Sequence, residues 1–237
     1  KMNMGYFLDW PTCDTEEAKA GIYALLRIML LASAKMCEVI AAKEEQIRCM
    51  EVAELLAKKN PVHNQRKQVV AMLQLAGMIE AEEAGRCLAA GGGQGMSTFM
   101  SYYILSAAAN TAGMDSAQDM LREYYGAMLD AGATTFWEDF DLDWVREGAR
   151  IDKLLEPGEY DIHGDNGRYC YTGLRHSLCH GWASGPAPYL AANVLGITPV
   201  KAGCKAVRFD PHLAGLEWAR GKYPTPYGEI EVEISKN

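Results

Sequence analysis

The apolar positions of this chain fall mostly at helical spacing, and they divide it into a succession of segments. Asp14-Thr15-Glu16-Glu17 has the form of a capping box, with Asp14 as N-cap and Glu17 reaching back. The segment after it, to about residue 41, is apolar almost all round, through Ile22, Leu25, Leu26, Ile28, Met29, Leu30 and Leu31. Such a helix is expected to have protein on more than one side. A second helix runs through Ile47, Met50, Val52, Ala53, Leu55 and Leu56 and ends near Asn60-Pro61. Further helices are predicted at about 65–77 and 80–89 and, past the loop Gly91-Gly92-Gly93-Gln94-Gly95, at about 96–112. Another starts at Asp115 or Ser116 and runs to Ala131, its Ala117, Met120, Leu121, Tyr124 and Met128 keeping the spacing of one buried face. The last long helix is expected within residues 176–195.

After Gly196 the texture changes. Val207 and Phe209 alternate with charged residues, and Gly228-Glu229-Ile230-Glu231-Val232-Glu233-Ile234 alternates with period two, the mark of a half-buried antiparallel strand. Tyr223-Pro224-Thr225-Pro226-Tyr227-Gly228 is the turn predicted before it. The pattern thus gives a mainly α chain of about seven helices, followed by the start of a β-domain. Short connections between amphipathic helices suggest an antiparallel helical toroid, although a simple bundle has the same periodicity. One connection stands apart. Asp139 to about Arg175 is polar and Gly-rich, far longer than the usual connection of roughly 4–6 residues, and such loops are commonly functional.

Composition narrows the function classes. Apolar residues make up 49% of the chain, and 23 basic residues against 31 acidic ones give a net charge of −8. No concentrated basic face is present, which argues against a nucleic-acid partner. The seven cysteines are scattered without a CxxC pair, so a zinc ribbon or redox motif has little support. Several lie at apolar helical positions, where buried free thiols are expected. The most apolar run, Ile22 to Ala34, carries Arg27 and is flanked by Lys19 and Lys35, too short and too charged to span a bilayer. No signal peptide is visible at Lys1-Met2-Asn3-Met4, and either a periplasmic or a cytoplasmic location is compatible with the sequence.

The chemistry concentrates in Thr134-Thr135-Phe136-Trp137-Glu138-Asp139-Phe140, which follows Gly132 at a helix end. A carboxylate beside apolar rings loses solvation and can act as a base near neutral pH. Aromatic faces, Trp137 among them, also stack on the C–H faces of sugars. A cap for a following short helix would use the same acid. His176-Ser177-Leu178-Cys179-His180 places two histidines one helical turn apart, but without HExxH or a nameable third ligand a metal site is disfavoured. A neutral histidine donor suits a sugar hydroxyl. Asp9-Trp10-Pro11 repeats the acid–aromatic pairing at another loop. Asp139, Asp141 and Asp143 lack the Gly and distal Glu of a calcium loop and read as a solvated acidic face. The Gly91–Gly95 loop fits no nucleotide-binding motif, and Ser177 and Ser184 lack a nucleophile elbow.

Three stretches in order, Gly132-Ala133-Thr134-Thr135-Phe136-Trp137-Glu138, Ser177-Leu178-Cys179-His180-Gly181-Trp182 and Val194-Leu195-Gly196-Ile197, resemble the bacterial α-L-rhamnosidase family of inverting glycoside hydrolases. The tail is similar too, in Leu216-Glu217-Trp218-Ala219-Arg220-Gly221 and Pro224-Thr225-Pro226-Tyr227-Gly228. The resemblance covers essentially the whole chain. It implies an (α/α)6 barrel with a C-terminal β-sandwich, residues 1–198 being the second part of the barrel and 199–237 the start of the β-domain. It implies inverting hydrolysis of terminal non-reducing α-L-rhamnose from rhamnosides or plant polysaccharides, without a metal or cofactor. Glu138 becomes the general base, His180 a sugar contact and Trp10, with Asp9, a wall of the rhamnose pocket. Cys179 departs from the Asn that many relatives carry there. The family's general acid stands in an Asp- and Arg-rich motif upstream of the part matched here, so residues 1–237 alone are expected to be inactive and to expose apolar faces. The alternatives are a non-catalytic carbohydrate-binding pseudoenzyme and a toroid glycosidase acting on a different sugar.

Overall fold

The computed structural model of the chain describes residues 5–154, 156–158, 161 and 177–236. A short antiparallel hairpin comes first, β1 (Phe7–Asp9) and β2 (Thr12–Cys13), turned at Trp10-Pro11. Among the described residues seven α-helices follow: α1 (Glu16–Val39), α2 (Lys43–Ala57), α3 (Lys67–Leu75), α4 (Ala81–Ala89), α5 (Ser101–Thr111), α6 (Met114–Asp130) and α7 (Pro186–Asn193). Four strands close the chain, β3 (Ile197–Lys201) antiparallel to β4 (Ala206–Phe209) and β5 (Trp218–Thr225) antiparallel to β6 (Gly228–Ser235). A mainly helical part followed by antiparallel strands is the architecture that the pattern predicts.

Several boundaries shift for identifiable reasons. Asp14 takes a left-handed φ of 52° outside the helix. The N-cap of α1 is therefore Thr15, whose Oγ1 accepts the Ala18 N–H at 3.1 Å. The helix expected from residue 96 starts at Ser101, because Met96 to Met100 turn back through buried Ser97 and Thr98. The long helix expected within 176–195 shrinks to α7, opened by Pro186 in its first turn. The C-terminal turn tightens to Pro226-Tyr227, since β5 pairs with β6 as far as Thr225 and Gly228. In the long connection, Asp141 caps a 3-10 turn at Leu142–Arg146 that buries Trp144.

The core sits where α3, α5 and α6 meet. Val69, Val70, Ala71, Met72 and Leu73 of α3 are all buried, as are Ile104, Leu105, Ala107 and Ala108 of α5 and Met120, Tyr124 and Met128 of α6. Gly85 of α4 lets that helix close on the end of α5, where a Cβ would lie 2.7 Å from the Thr111 carbonyl oxygen. As expected, α1 has protein on more than one side, packing on α2, α3 and the first hairpin, but the cover is incomplete. Only its small residues Ala18, Ala20, Gly21, Ala24 and Ala34 are buried, while Leu25, Met29, Met36 and Val39 are exposed. The length argument against a membrane span gives way, because the 24 residues of α1 are long and apolar enough by composition to cross one. Arg27 nevertheless ties this helix into the bundle. Its guanidinium donates to the carbonyls of Ala53 and Ala76 and pairs with Glu54 at 3.6 Å.

The handover from helix to strand turns on Gly196. It has φ +73°, and a Cβ there would lie 2.2 Å from the Asp210 carbonyl carbon, so only glycine fits. Asp210 N–H donates to Gly196 O at 2.9 Å and His212 N–H to Val194 O at 3.1 Å, which fastens the end of β4 to the end of α7. Arg122 of α6 donates to Ala214 O at 2.6 Å, a second tie between the two parts.

Candidate functional site

The site is built by the segment leaving α6, which lies along residues 177–180. Glu138 N–H donates to Ser177 O and His180 N–H to Phe136 O, both at 2.8 Å. The Thr135 hydroxyl adds a bond to Leu178 O. These bonds explain why residues 177–180 are not helical. His176 lies outside the described residues.

Glu138 is held at both backbone groups. Its carbonyl accepts from Thr98 Oγ1 at 2.6 Å and from Trp182 Nε1 at 2.8 Å, while its N–H is taken by Ser177. One carboxylate oxygen, Oε2, accepts the Ser177 N–H at 3.1 Å and stands 3.9 Å from His180 Nδ1. That separation exceeds a direct hydrogen bond but keeps the imidazole beside the acid. The Glu138 side chain is 16% exposed and that of His180 33%, so both open toward solvent from a largely buried setting. An acid fixed in this way is pre-oriented and cannot swing with its backbone. The His180 ring lies 4.7 Å from Trp182, which lies 5.0 Å from Phe99, and the three rings line one side of the acid.

Behind Glu138 two carboxyl groups are buried together. Asp9 is 2% exposed and accepts hydrogen bonds from the Ser97 hydroxyl and, at 2.8 Å, from the Trp10 N–H. Burial pushes its carboxyl up to about 6, against the pull of those two bonds. Asp139 is 3% exposed and accepts the Phe140 N–H at 2.9 Å. Burial, and next the charge of Asp9, push it up to about 7. The interaction places Asp9 beside the Glu138 segment, with Trp10 half-buried next to it and edge-on to Phe7 at 5.0 Å.

Trp137 is the exception. It is 0% exposed and packs edge-on against Phe140 at 5.8 Å, so its ring belongs to the core and the expectation that it touches sugar is corrected. The adjacent Glu138 side chain is 16% exposed where Trp137 is fully buried. Thr98 and Ser97 were not among the candidates, and Ser177 was weighed only as a nucleophile. Trp182 stood in a quoted motif without a role, and its indole N–H proves to hold Glu138. Asp139, read as part of a solvated face, is buried. Among the described residues no group of three or more His, Cys, Asp or Glu is placed to hold a metal ion. Six cysteines are free, five half-buried and Cys179 exposed, where buried thiols had been expected; Cys170 lies outside the described residues.

Comparison with known families bears on the C-terminal part. Residues 196–237 match the family model of the bacterial alpha-L-rhamnosidase C-terminal domain. The match covers 42 of the 237 residues. No curated protein matches it. The matched segment starts at Gly196, the residue on which α7 hands over to β3, and takes in both C-terminal hairpins. Glu138 and His180 lie outside it.

Proposed function

We propose that the protein hydrolyses terminal non-reducing α-L-rhamnose from rhamnosides or plant polysaccharides, with inversion and with Glu138 as general base. The observation that carries this reading is the anchored Glu138, its backbone carbonyl held by Thr98 and Trp182 and its carboxylate, held by the Ser177 N–H, open toward solvent beside His180. A carboxylate so held can take a proton from a water attacking the anomeric carbon. His180 offers a ring N–H to a sugar hydroxyl, and Trp10, its backbone set by Asp9, forms a wall of the pocket. Inversion requires a general acid across the sugar, roughly 6.5–9.5 Å from the base. We assign that role to the Asp- and Arg-rich motif that the family carries upstream, since burial removes Asp139 from contact with substrate. Residues 1–198 are, in the same reading, the second part of an (α/α)6 barrel, and 199–237 the start of the β-domain.

The test is turnover of p-nitrophenyl α-L-rhamnoside by the full-length protein, with NMR of the first anomer released. β-L-Rhamnose is expected, and α-L-rhamnose would overturn inversion. Glu138→Gln is expected to lose about 10²–10⁴-fold in kcat. Normal turnover by that variant would remove Glu138 from the role.

A further inference from the structure

A cavity of about 390 Å³ opens beside the candidate site, and its wall includes Pro11, Arg66, Lys67, Gln68, Gln94 and Asp141. Its volume is that of a small-ligand site. Pro11 follows Trp10, and Asp141 lies three residues past Glu138, which keeps the two Cα atoms within about 11 Å. Gln68 joins cavity and site. Its Nε2 donates to Gly95 O at 3.0 Å and to Ser97 Oγ at 3.3 Å, and Ser97 in turn donates to Asp9.

The charge of this cavity is not used by anything described so far. Arg27, Arg86, Arg122 and Arg150 each pair with a carboxylate, whereas Arg66 has no ion pair among the described residues. Glu17, held below its ordinary range first by a backbone hydrogen bond, lies near enough to feel Arg66 but bonds to Asn64. Lys67 is 5% exposed, and its ammonium is turned to the Gly92 carbonyl, beside Glu123, whose carboxylate accepts the Gly93 N–H at 2.6 Å. Burial pulls that ammonium down to about 8, partly offset by Glu123, so it remains mostly charged at neutral pH. Arg66 is therefore the cation that this wall offers a ligand, with Asp141, whose Oδ1 accepts the Asp143 N–H at 2.9 Å, on the same wall. The planar fork of Arg66 matches a carboxylate or sulfate, and the side-chain amides of Gln68 and Gln94 suit sugar hydroxyls.

We propose that this cavity is the subsite for an anionic sugar unit next to the rhamnose, its carboxylate or sulfate ester held by Arg66. The proposal rests on the rhamnosidase reading for the sugar beside it, while the anion site stands on the cavity alone.

Two measurements separate these claims. In the first, kcat/KM of the full-length protein is compared on a rhamnosyl-glucuronate disaccharide, a rhamnosyl-glucose bearing a sulfate ester, and plain rhamnosyl-glucose. At least one anionic substrate is expected to be favoured about tenfold or more, and Arg66→Gln to remove most of that ratio, with Arg66→Lys retaining part. Which anion is favoured identifies its chemistry, and equal ratios in wild type and Arg66→Gln overturn the proposal. In the second, glucuronate, glucose 6-sulfate and glucose are titrated against both proteins by calorimetry. Tighter anion binding that weakens in Arg66→Gln supports the subsite even where no rhamnoside is cleaved, a result that would sink the rhamnosidase reading alone. Anions bound no better than glucose overturn the subsite even where hydrolysis is normal.

Discussion

α1 and α3 are both rich in apolar residues, yet they end in opposite surroundings. α3 is enclosed by α1, α4 and α5, and seven of its nine residues are buried. α1 packs on α2, α3 and the first hairpin through alanines and a glycine, and leaves Leu25, Met29, Met36 and Val39 exposed. α2 exposes apolar residues as well, Ile47, Met50, Val52 and Leu55. The contrast teaches that an apolar pattern states that a surface is to be covered, without naming what covers it. The candidate site belongs to the enclosed region. Glu138 is positioned because Trp137 and Phe140 on either side of it are locked into the core around Tyr124.

The sharpest way to break the comparison is to empty the enclosed side. Trp137→Ala is expected to destabilise the protein by about 3–5 kcal/mol, as large aromatic truncations in packed cores do. Urea denaturation would measure it. Because the same ring fixes the Glu138 backbone, any activity surviving in folded material should fall as well. A cost below ~1 kcal/mol would mean that the ring is not the core element that its burial indicates.

The second prediction concerns pH. Asp9 and Asp139 have folded values raised to about 6 and about 7 from 3.8, so between pH 4 and 7 the folded state holds protons that the unfolded chain releases. Their contribution to stability is fully present below about pH 4 and is lost as pH rises through 6 and 7, then stays level. Asp139→Asn keeps an oxygen for the Phe140 N–H and has no charge to bury. It is expected to flatten that slope, by on the order of 3–4 kcal/mol at most between the two limits. Urea midpoints across the pH range, wild type against variant, would show it. Parallel curves would sink the coupling.

Much of this was legible in the sequence, and what was not has a physical cause. The bounds of α4 and α6 follow from periodicity to within about a residue, because each has one apolar face and one polar face. Glu138 and His180 were found because their motifs are local. Ser97 and Thr98 were missed because their partners, Asp9 and the Glu138 carbonyl, lie 88 and 40 residues away, and a hydroxyl in a turn has no periodic signature. The inward face of Trp137 could not be read from an irregular segment, where no repeat decides which side chain meets the core. The N-cap of α1 moved by one residue because Asp14 and Thr15 are both good caps, and backbone conformation chose between them. Thr15→Ala is accordingly expected to cost about 1 kcal/mol, while Asp14→Ala leaves that capping bond intact. Equal losses in thermal unfolding would return the cap to Asp14.

The smallest effect on stability belongs to the open side. Met36 and Val39 are 69% and 86% exposed, so Met36→Lys with Val39→Lys removes little that folding buries, and the unfolding free energy should move by no more than about 0.5 kcal/mol. Their effect should appear between molecules instead. An exposed apolar surface of this kind associates in water, and residues 1–237 alone are expected to sediment as concentration-dependent oligomers. Two lysines placed within it should shift that distribution toward monomer at equal protein concentration. If the chain is monomeric throughout, the surface is too dispersed to act as a patch. If the lysines instead cost several kcal/mol, the α1 surface is packed in solution, and the contrast between the two helices disappears.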